Sequence, residues 1–339
     1  MSRKSLTLLC LVVLLTGTVQ LAYSQSKENI ATAEPVLWRD PGNISELDLR
    51  YGPGARHLAP VGPFTFVEEV KSGESPKIAV RDARGVRWTV KLGEEAQAET
   101  VATRLVWAIG YFAEEAYYFD RIRVRRLPKL SRGQEFVVRR NVLRGARFEP
   151  KRNTMKEGSS WEWNKNPFEG SRELSGLKIM MILLNNYDAR TQNNKIFYVT
   201  NNETGTTEAR HYVTDLGATL GKADGLGGDR SKNNLNDFLS TRFVMGIEDD
   251  GSVTFDYDTK PTKLGMLSIV YPPYYRSQVK KERAMRGIPV DHARWVGSLL
   301  SQLTDEQLRQ PFIVAKYEPR TATAFVNSLR ARINQLSSL

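Results

Sequence analysis

The sequence predicts an α+β protein in two parts, a small β-rich lobe followed by a larger, mainly helical one. Three observations lead there. Short runs of β-branched and aromatic residues, separated by polar turns, crowd residues 61–150. One stretch of helical spacing interrupts them. Beyond residue 151 helical periodicity takes over, and the run Ile179 to Leu184, apolar on all sides, marks a buried central helix.

The chain opens with Arg3 and Lys4, an apolar run from Leu8 to Leu15, and a polar stretch ending Ala22-Tyr23-Ser24. This pattern predicts an export signal over 1–24, cleaved after Ser24, and a periplasmic or extracellular mature protein. An apolar run of eight residues falls short of the ~20 that a spanning helix needs, and no later segment suffices. Residues 25–60, rich in Pro, Gly and polar side chains, predict an extended leader. Strands are then expected at Phe64 to Val70, Lys77 to Arg81 and Val86 to Leu92. Ser72-Gly73-Glu74-Ser75 and Asp82-Ala83-Arg84-Gly85 supply the turns between them. Ala98, Val101, Leu105, Ala108 and Phe112 predict a helix whose regular part ends near Gly110. Strands near Arg121 to Leu127 and Glu135 to Leu143 complete an expected five-stranded sheet. In the second part, Lys195 to Thr200 and Ala209 to Val213 predict a hairpin, and Thr304-Asp305-Glu306-Gln307 a capping box. The last helix is expected to bury Phe325, Leu329, Ile333 and Leu336 and to leave Arg320, Arg330 and Arg332 outside.

The formal net charge is +11, and removal of 1–24 would take away two of those charges. The densest basic run, Arg121-Ile122-Arg123-Val124-Arg125-Arg126, alternates as a strand with one solvated basic face would. No aromatic–basic signature and no zinc finger accompanies it, so no specific nucleic-acid partner is expected. A polyanionic envelope surface would account for the charge equally well, as would general solubility. The one cysteine, Cys10, lies inside the signal, which leaves no disulfide or thiolate site and fits a bacterial envelope.

The segments that carry chemistry occur in a definite order. Lys91 ends the third strand in Trp88-Thr89-Val90-Lys91, and the helix after it carries Glu95 and Glu99. The central helix runs out into Asn185-Asn186-Tyr187-Asp188-Ala189-Arg190-Thr191-Gln192-Asn193, and the hairpin leads to Val213-Thr214-Asp215-Leu216-Gly217. In this order and spacing the chain resembles the protein-kinase-like superfamily, particularly its atypical branches: lipid kinases, HipA-like toxins and secretory-pathway kinases. The resemblance spans Phe64 to Gly221 and implies a two-lobed kinase-like fold. It assigns Lys91 to the nucleotide phosphates, with Gly73 in the loop covering them, and Glu99, or Glu95 one turn earlier, to the lysine. Asp188 takes the place of the catalytic acid. Asn193, five positions later, and Asp215 of an Asp-x-Gly take the places of the metal ligands. The implied cofactors are ATP or another nucleotide and Mg²⁺, and the implied acceptor is a hydroxyl of a protein, glycan or other envelope molecule.

Two departures stand against this pattern. The covering loop offers one glycine, and Tyr187 replaces the arginine that commonly precedes the catalytic acid, with Arg190 two positions after it. A catalytically inactive binding or scaffolding module of the envelope is therefore the alternative. Gly217 to Ala223 imitates a phosphate-binding loop but is one residue short between its glycines. Asp249-Asp250-Gly251 reads as a hairpin turn rather than a calcium loop.

Overall fold

The structure, a computed structural model, describes residues 32–151, 155–201, 204–222, 231–257 and 272–339. The segment 1–24 expected to be an export signal lies outside the described residues. Strand β1 (Glu34–Val36) precedes β2 (Phe64–Val70), β3 (Lys77–Arg81) and β4 (Arg87–Leu92), which are followed by helix α1 (Glu95–Ala108). Then come β5 (Phe112–Ala113), β6 (Tyr117–Arg125), β7 (Val137–Arg139) and β8 (Val142–Pro150). The turn from β3 to β4 is set by Asp82, whose Oδ1 accepts from the backbone of Arg84 and of Val86, both at 2.9 Å.

The expected five-stranded sheet is instead six-stranded, in the order β4-β3-β2-β6-β8-β7, and it closes because β4 also pairs with β8. The single strand expected over 135–143 is divided. A 3-10 turn at Gln134–Phe136 precedes β7, and the chain reverses at Arg140-Asn141, with Asn141 in the left-handed region at φ 62°. Asparagine tolerates that conformation, which makes the reversal without a glycine. Ile78, Val80, Trp88, Val90, Leu143 and Phe148 fill the interior of the closed sheet. Because strand side chains alternate, the polar residues of β4 project outward, and Lys91 among them reaches α1.

The second core lies outside that barrel. Helix α1 contributes Ala98, Val101, Ala102 and Leu105 to it, and α2 (Arg172–Leu183) contributes Leu177, Ile179, Met180 and Met181. Ser171 caps α2 by accepting from the Leu174 backbone at 3.1 Å. A second sheet joins β9 (Lys156–Ser160), β10 (Asn194–Thr200) and β11 (Thr207–Val213), and β1 and β5 both pair with β11 in parallel. The stretch 32–60 also contributes Leu37, Ile44 and Leu49 to the core. Helix α3 (Leu235–Ser240) is followed by β12 (Val244–Ile247) and β13 (Ser252–Phe255), joined by the hairpin turn expected at Asp249-Asp250-Gly251. Helix α4 (Pro272–Ala284), strand β14 (Ile288–Pro289), then α5 (Val290–Ser301), α6 (Asp305–Val314) and α7 (Pro319–Ser337) complete the chain. The capping box at Thr304 and Gln307 is present. Among the described residues, no helix is long and apolar enough to cross a membrane.

Helix α7 buries Phe325, Leu329, Ile333 and Leu336 as expected, but Arg332 is not outside. It is buried, with its guanidinium 4.0 Å from the centre of the Phe238 ring. It donates to the carbonyl of Leu183 at 2.8 Å, to Asn185 Oδ1 at 2.9 Å and to Thr241 Oγ1 at 2.7 Å. One cation thus ties α7 to the end of α2, from which the Asp188 loop departs. Arg332→Met should lower stability to urea unfolding by about 3 kcal/mol or more, because several buried acceptors lose a charged donor. Arg320→Met, on an exposed position of the same helix, should change it by less than about 0.5 kcal/mol.

Candidate active site

Lys91 is 3 % exposed, which for an ammonium demands compensating charge. Glu95 and Glu99, four residues apart at the start of α1, present their carboxylates on one helix face. Both reach Lys91 Nζ at 2.9 Å. Asp215 Oδ1 lies 2.5 Å from the same nitrogen. Burial works against the lysine's charge, but Glu99, Asp215 and Glu95 outweigh it and hold its pKa above the ordinary value. Glu95 and Glu99 are thus both partners of the lysine, and they differ in what else they bind. Glu99 faces Arg147 at 3.1 Å, while Glu95 accepts from Ser75 Oγ at 2.6 Å and pairs with Lys232.

Arg147 sits directly opposite Lys91 in the β4–β8 pair and is equally buried. Sequence reasoning missed it because β8 was not expected. The signal that could have found it is an arginine set between Ala146 and Phe148 in an otherwise apolar stretch. Its charge is stabilised, against burial, by Glu99, Glu149 and Glu114.

Asp215 follows β11 with φ 53°, a left-handed backbone that is uncommon for a residue other than glycine. Burial raises its pKa, but the charge and hydrogen bond of Lys91 prevail and hold the carboxyl below its usual range. Gly217 completes the Asp-x-Gly, and here the lack of a side chain is a steric requirement. A Cβ at 217 would lie 2.7 Å from Glu95 Cβ and 2.9 Å from its Oε2.

Asp188 and Asn193 are also brought together. Asn193 Nδ2 donates to Asp188 Oδ2 at 3.1 Å and to its carbonyl at 2.9 Å. The Asn193 carbonyl in turn accepts from Thr214, from the backbone at 2.7 Å and from Oγ1 at 3.0 Å, next to Asp215. The remaining partners of the Asp188 carboxylate are Arg190 and Lys281, the latter at 3.5 Å from α4. The structure therefore joins Lys91, Glu95, Glu99, Asp215, Asn193 and Asp188 through one chain of contacts, in which Asn193 and Thr214 connect Asp188 to the segment of Asp215.

Gly73 lies at φ 77° in the loop between β2 and β3. It makes no side-chain contact of its own, and its neighbours connect the loop to the site. Ser75 bonds Glu95, and Glu74 approaches Arg190 at 3.8 Å. From outside, Arg132 donates to the carbonyls of Lys71, at 3.1 Å, and of Glu74. Lys232, Lys281 and Arg132 were all missed, since each reaches the site from a segment distant in sequence.

A cavity of about 770 Å³ opens beside this cluster. Thr89, on the same strand face as Lys91, lines it with Val70, Ala79, Phe197 and Tyr212. Glu114 and Glu149 stand at its wall, and burial followed by the charge of Glu149 pushes the Glu114 carboxyl well above its ordinary pKa. A second cavity, of about 520 Å³, is lined by Glu74, Arg190, Lys280, Lys281 and Trp163 on the Asp188 side. Among the described residues, no three His, Cys, Asp or Glu side chains form a metal cage.

No known protein family and no curated protein matches the chain. A solved structure, "Crystal structure of A Helicobacter pylori proinflammatory kinase CtkA", aligns with 80% of this chain and 97% of its own at 11% identity and a TM-score of 0.34. At that identity and score the likeness decides neither fold nor function.

Burial opposes ionisation of Glu95, but Lys91, Lys232 and Ser75 lower its pKa from 4.5 to about 2. A depressed carboxylate contributes stability that is fully present above its unfolded pKa and is lost as pH falls through the folded value. Glu95→Gln should therefore cost about 3 kcal/mol at neutral pH. The difference from the parent protein, read by urea unfolding, should narrow steadily below pH 4.5.

Proposed function

We propose that this chain is an exported phosphotransferase of the atypical protein-kinase-like type, moving a phosphoryl group from a nucleotide to a hydroxyl of a protein, glycan or other envelope molecule. One observation carries the reading. A buried lysine is held by helix carboxylates and paired with the aspartate of an Asp-x-Gly, and that aspartate adjoins an Asp/Asn pair spaced as the reaction needs. In this reading the acceptor oxygen forms a bond to the γ-phosphorus as the bridging oxygen leaves with the diphosphate. The hydroxyl proton passes to Asp188. Lys91 neutralises phosphate charge, and Glu99 and Glu95 keep it charged and oriented.

The donor set suits Mg²⁺, which takes few protein ligands and completes its shell with phosphates and water. Asp215 has one carboxylate oxygen beyond the one on Lys91, and Asn193, donating through Nδ2, keeps its Oδ1 as an acceptor. Bound there, the ion would supply charge neutralisation for the phosphates. The cavity beside Thr89, about 770 Å³, has room for a nucleoside.

A second reading, a non-catalytic binding module, is favoured by one observation. Lys91 already faces three carboxylates, and the Asp188 carboxylate is already held by Arg190 and Lys281. Nucleotide must compete with both arrangements.

The test is transfer from γ-labelled ATP to protein or glycan acceptors with Mg²⁺, alongside thermal shift. Asp188→Ala should lower transfer by about 10²–10⁴-fold and leave nucleotide binding in place. Asp215→Ala should remove Mg²⁺-dependent nucleotide stabilisation. Stabilisation without transfer in the parent protein would establish the second reading. No stabilisation by any nucleotide would overturn the first.

A further inference from the structure

The basic run noted in the sequence lies along the second half of β6 and has no part in the chemistry above. Ile122 and Val124 turn into the barrel, so Arg121, Arg123 and Arg125 project from its outer surface. The neighbouring strand adds to the charge, because Arg144 of β8 stands directly opposite Arg121. Like charges placed opposite each other across a strand pair destabilise it. Among the described residues no carboxylate bridges the two, and Arg144 rests instead over the Phe136 ring at 5.8 Å. Among the described residues, the ion pair recorded for this face is Arg121 with Asp120 at 3.8 Å, and the Arg121 side chain is 73% exposed.

Where β6 ends, the face continues into a shallow basin of about 540 Å³. Arg126, Lys129 and Arg140 line it, and no acidic residue does. Arg126 has φ 58°, a conformation costly for a side chain of its size. Opposed arginines and a strained arginine are two costs on one surface, and the basin that continues it holds no acid to offset them. General solubility needs none of them, since scattered charges of both signs serve it better.

We infer that this face binds a linear anionic glycan, its carboxylates or sulfates lying along the β6 arginines and ending in the basin. Arginine forks pair with such oxyanions in bidentate fashion. Two other polyanions fit less well. Single-stranded nucleic acid is gripped through open aromatic side chains that stack its bases, whereas the basin is lined by none and the half-buried Phe136 ring beside the face is already covered by the Arg144 guanidinium at 5.8 Å. A membrane surface calls for an apolar patch beside the charge, and Val138 is the one large exposed apolar residue in the adjoining β7. The inference does not depend on the transferase reading.

Heparin serves as the probe, with affinity measured by fluorescence anisotropy over a range of salt. The variant Arg123→Glu, Arg125→Glu, Arg126→Glu reverses three charges on the face. It should lose at least about tenfold in affinity, and its log–log salt slope should flatten by about 2 to 3. Arg283→Glu, Arg286→Glu, Arg320→Glu makes the same charge change at exposed positions on the helical side and should bind nearly as the parent does. Thermal unfolding confirms that both variants fold. Equal losses in the two variants would reduce the effect to net charge and overturn the inference. So would unchanged binding by the face variant, or tighter binding by the parent protein to an oligothymidylate or to phosphatidylserine vesicles at the same salt.

Discussion

The buried ammonium of Lys91 is the constraint on which the rest of the site is built. An isolated charge in so dry a place would lose its proton or unfold its surroundings. Three carboxylates prevent this, two from α1 and one from the end of β11. The lysine thereby fixes how the barrel, its first helix and the second sheet meet. Glu99 could not be buried on the strength of one cation alone, and Arg147 supplies the other. Removing one member of such a cluster strands the others without compensation, at a typical cost of about 3–5 kcal/mol. Charge balance, more than apolar contact, defines this junction.

A second cation performs the same service for the loop on the far side. Arg332 collects carbonyl and amide oxygens around the end of α2, so the chain enters Asn186 to Asn193 from a fixed start. The loop's own bonds do the rest. Asn186 Oδ1 accepts from the backbone of Asp188 at 2.9 Å, and Asn193 holds the carboxylate from the other side. Asp188 is therefore oriented chiefly by hydrogen bonds that sequence neighbours supply, with Lys281 facing its carboxylate at 3.5 Å from α4.

That difference explains what could be read in advance. Lys91, Glu95, Glu99, Asp188, Asn193 and Asp215 were legible because each belongs to a short segment whose spacing is meaningful by itself. The strands from Phe64 to Leu92 and the capping box at Thr304 were legible for the same local reason. Closure of the barrel was not, because the pairing of β4 with β8 joins segments some sixty residues apart and no local pattern reports it. Arg147 was lost with that pairing. Lys281 and Lys232 were lost because charged residues on surface-like stretches give no sign of what approaches them. Arg332 was readable in principle. It follows Leu329 by three and precedes Leu336 by four, so the helix geometry placed it on the apolar face, and only its charge argued otherwise.

The bonds from Arg132 to the carbonyls of Lys71 and Glu74 have a consequence in time rather than in space. A free loop of this length fluctuates on the nanosecond-to-microsecond scale, whereas collective motions of packed elements are slower, of the order of microseconds to milliseconds. Here the loop is laced to the strap 127–136, and Ser131 of that strap is bonded in turn to Glu69 of β2 at 2.8 Å. Lifting the loop means moving the strap. The motion of the Gly73 loop then belongs to a small mechanical assembly, loop, strap and the edge of β2 together, rather than to the loop alone.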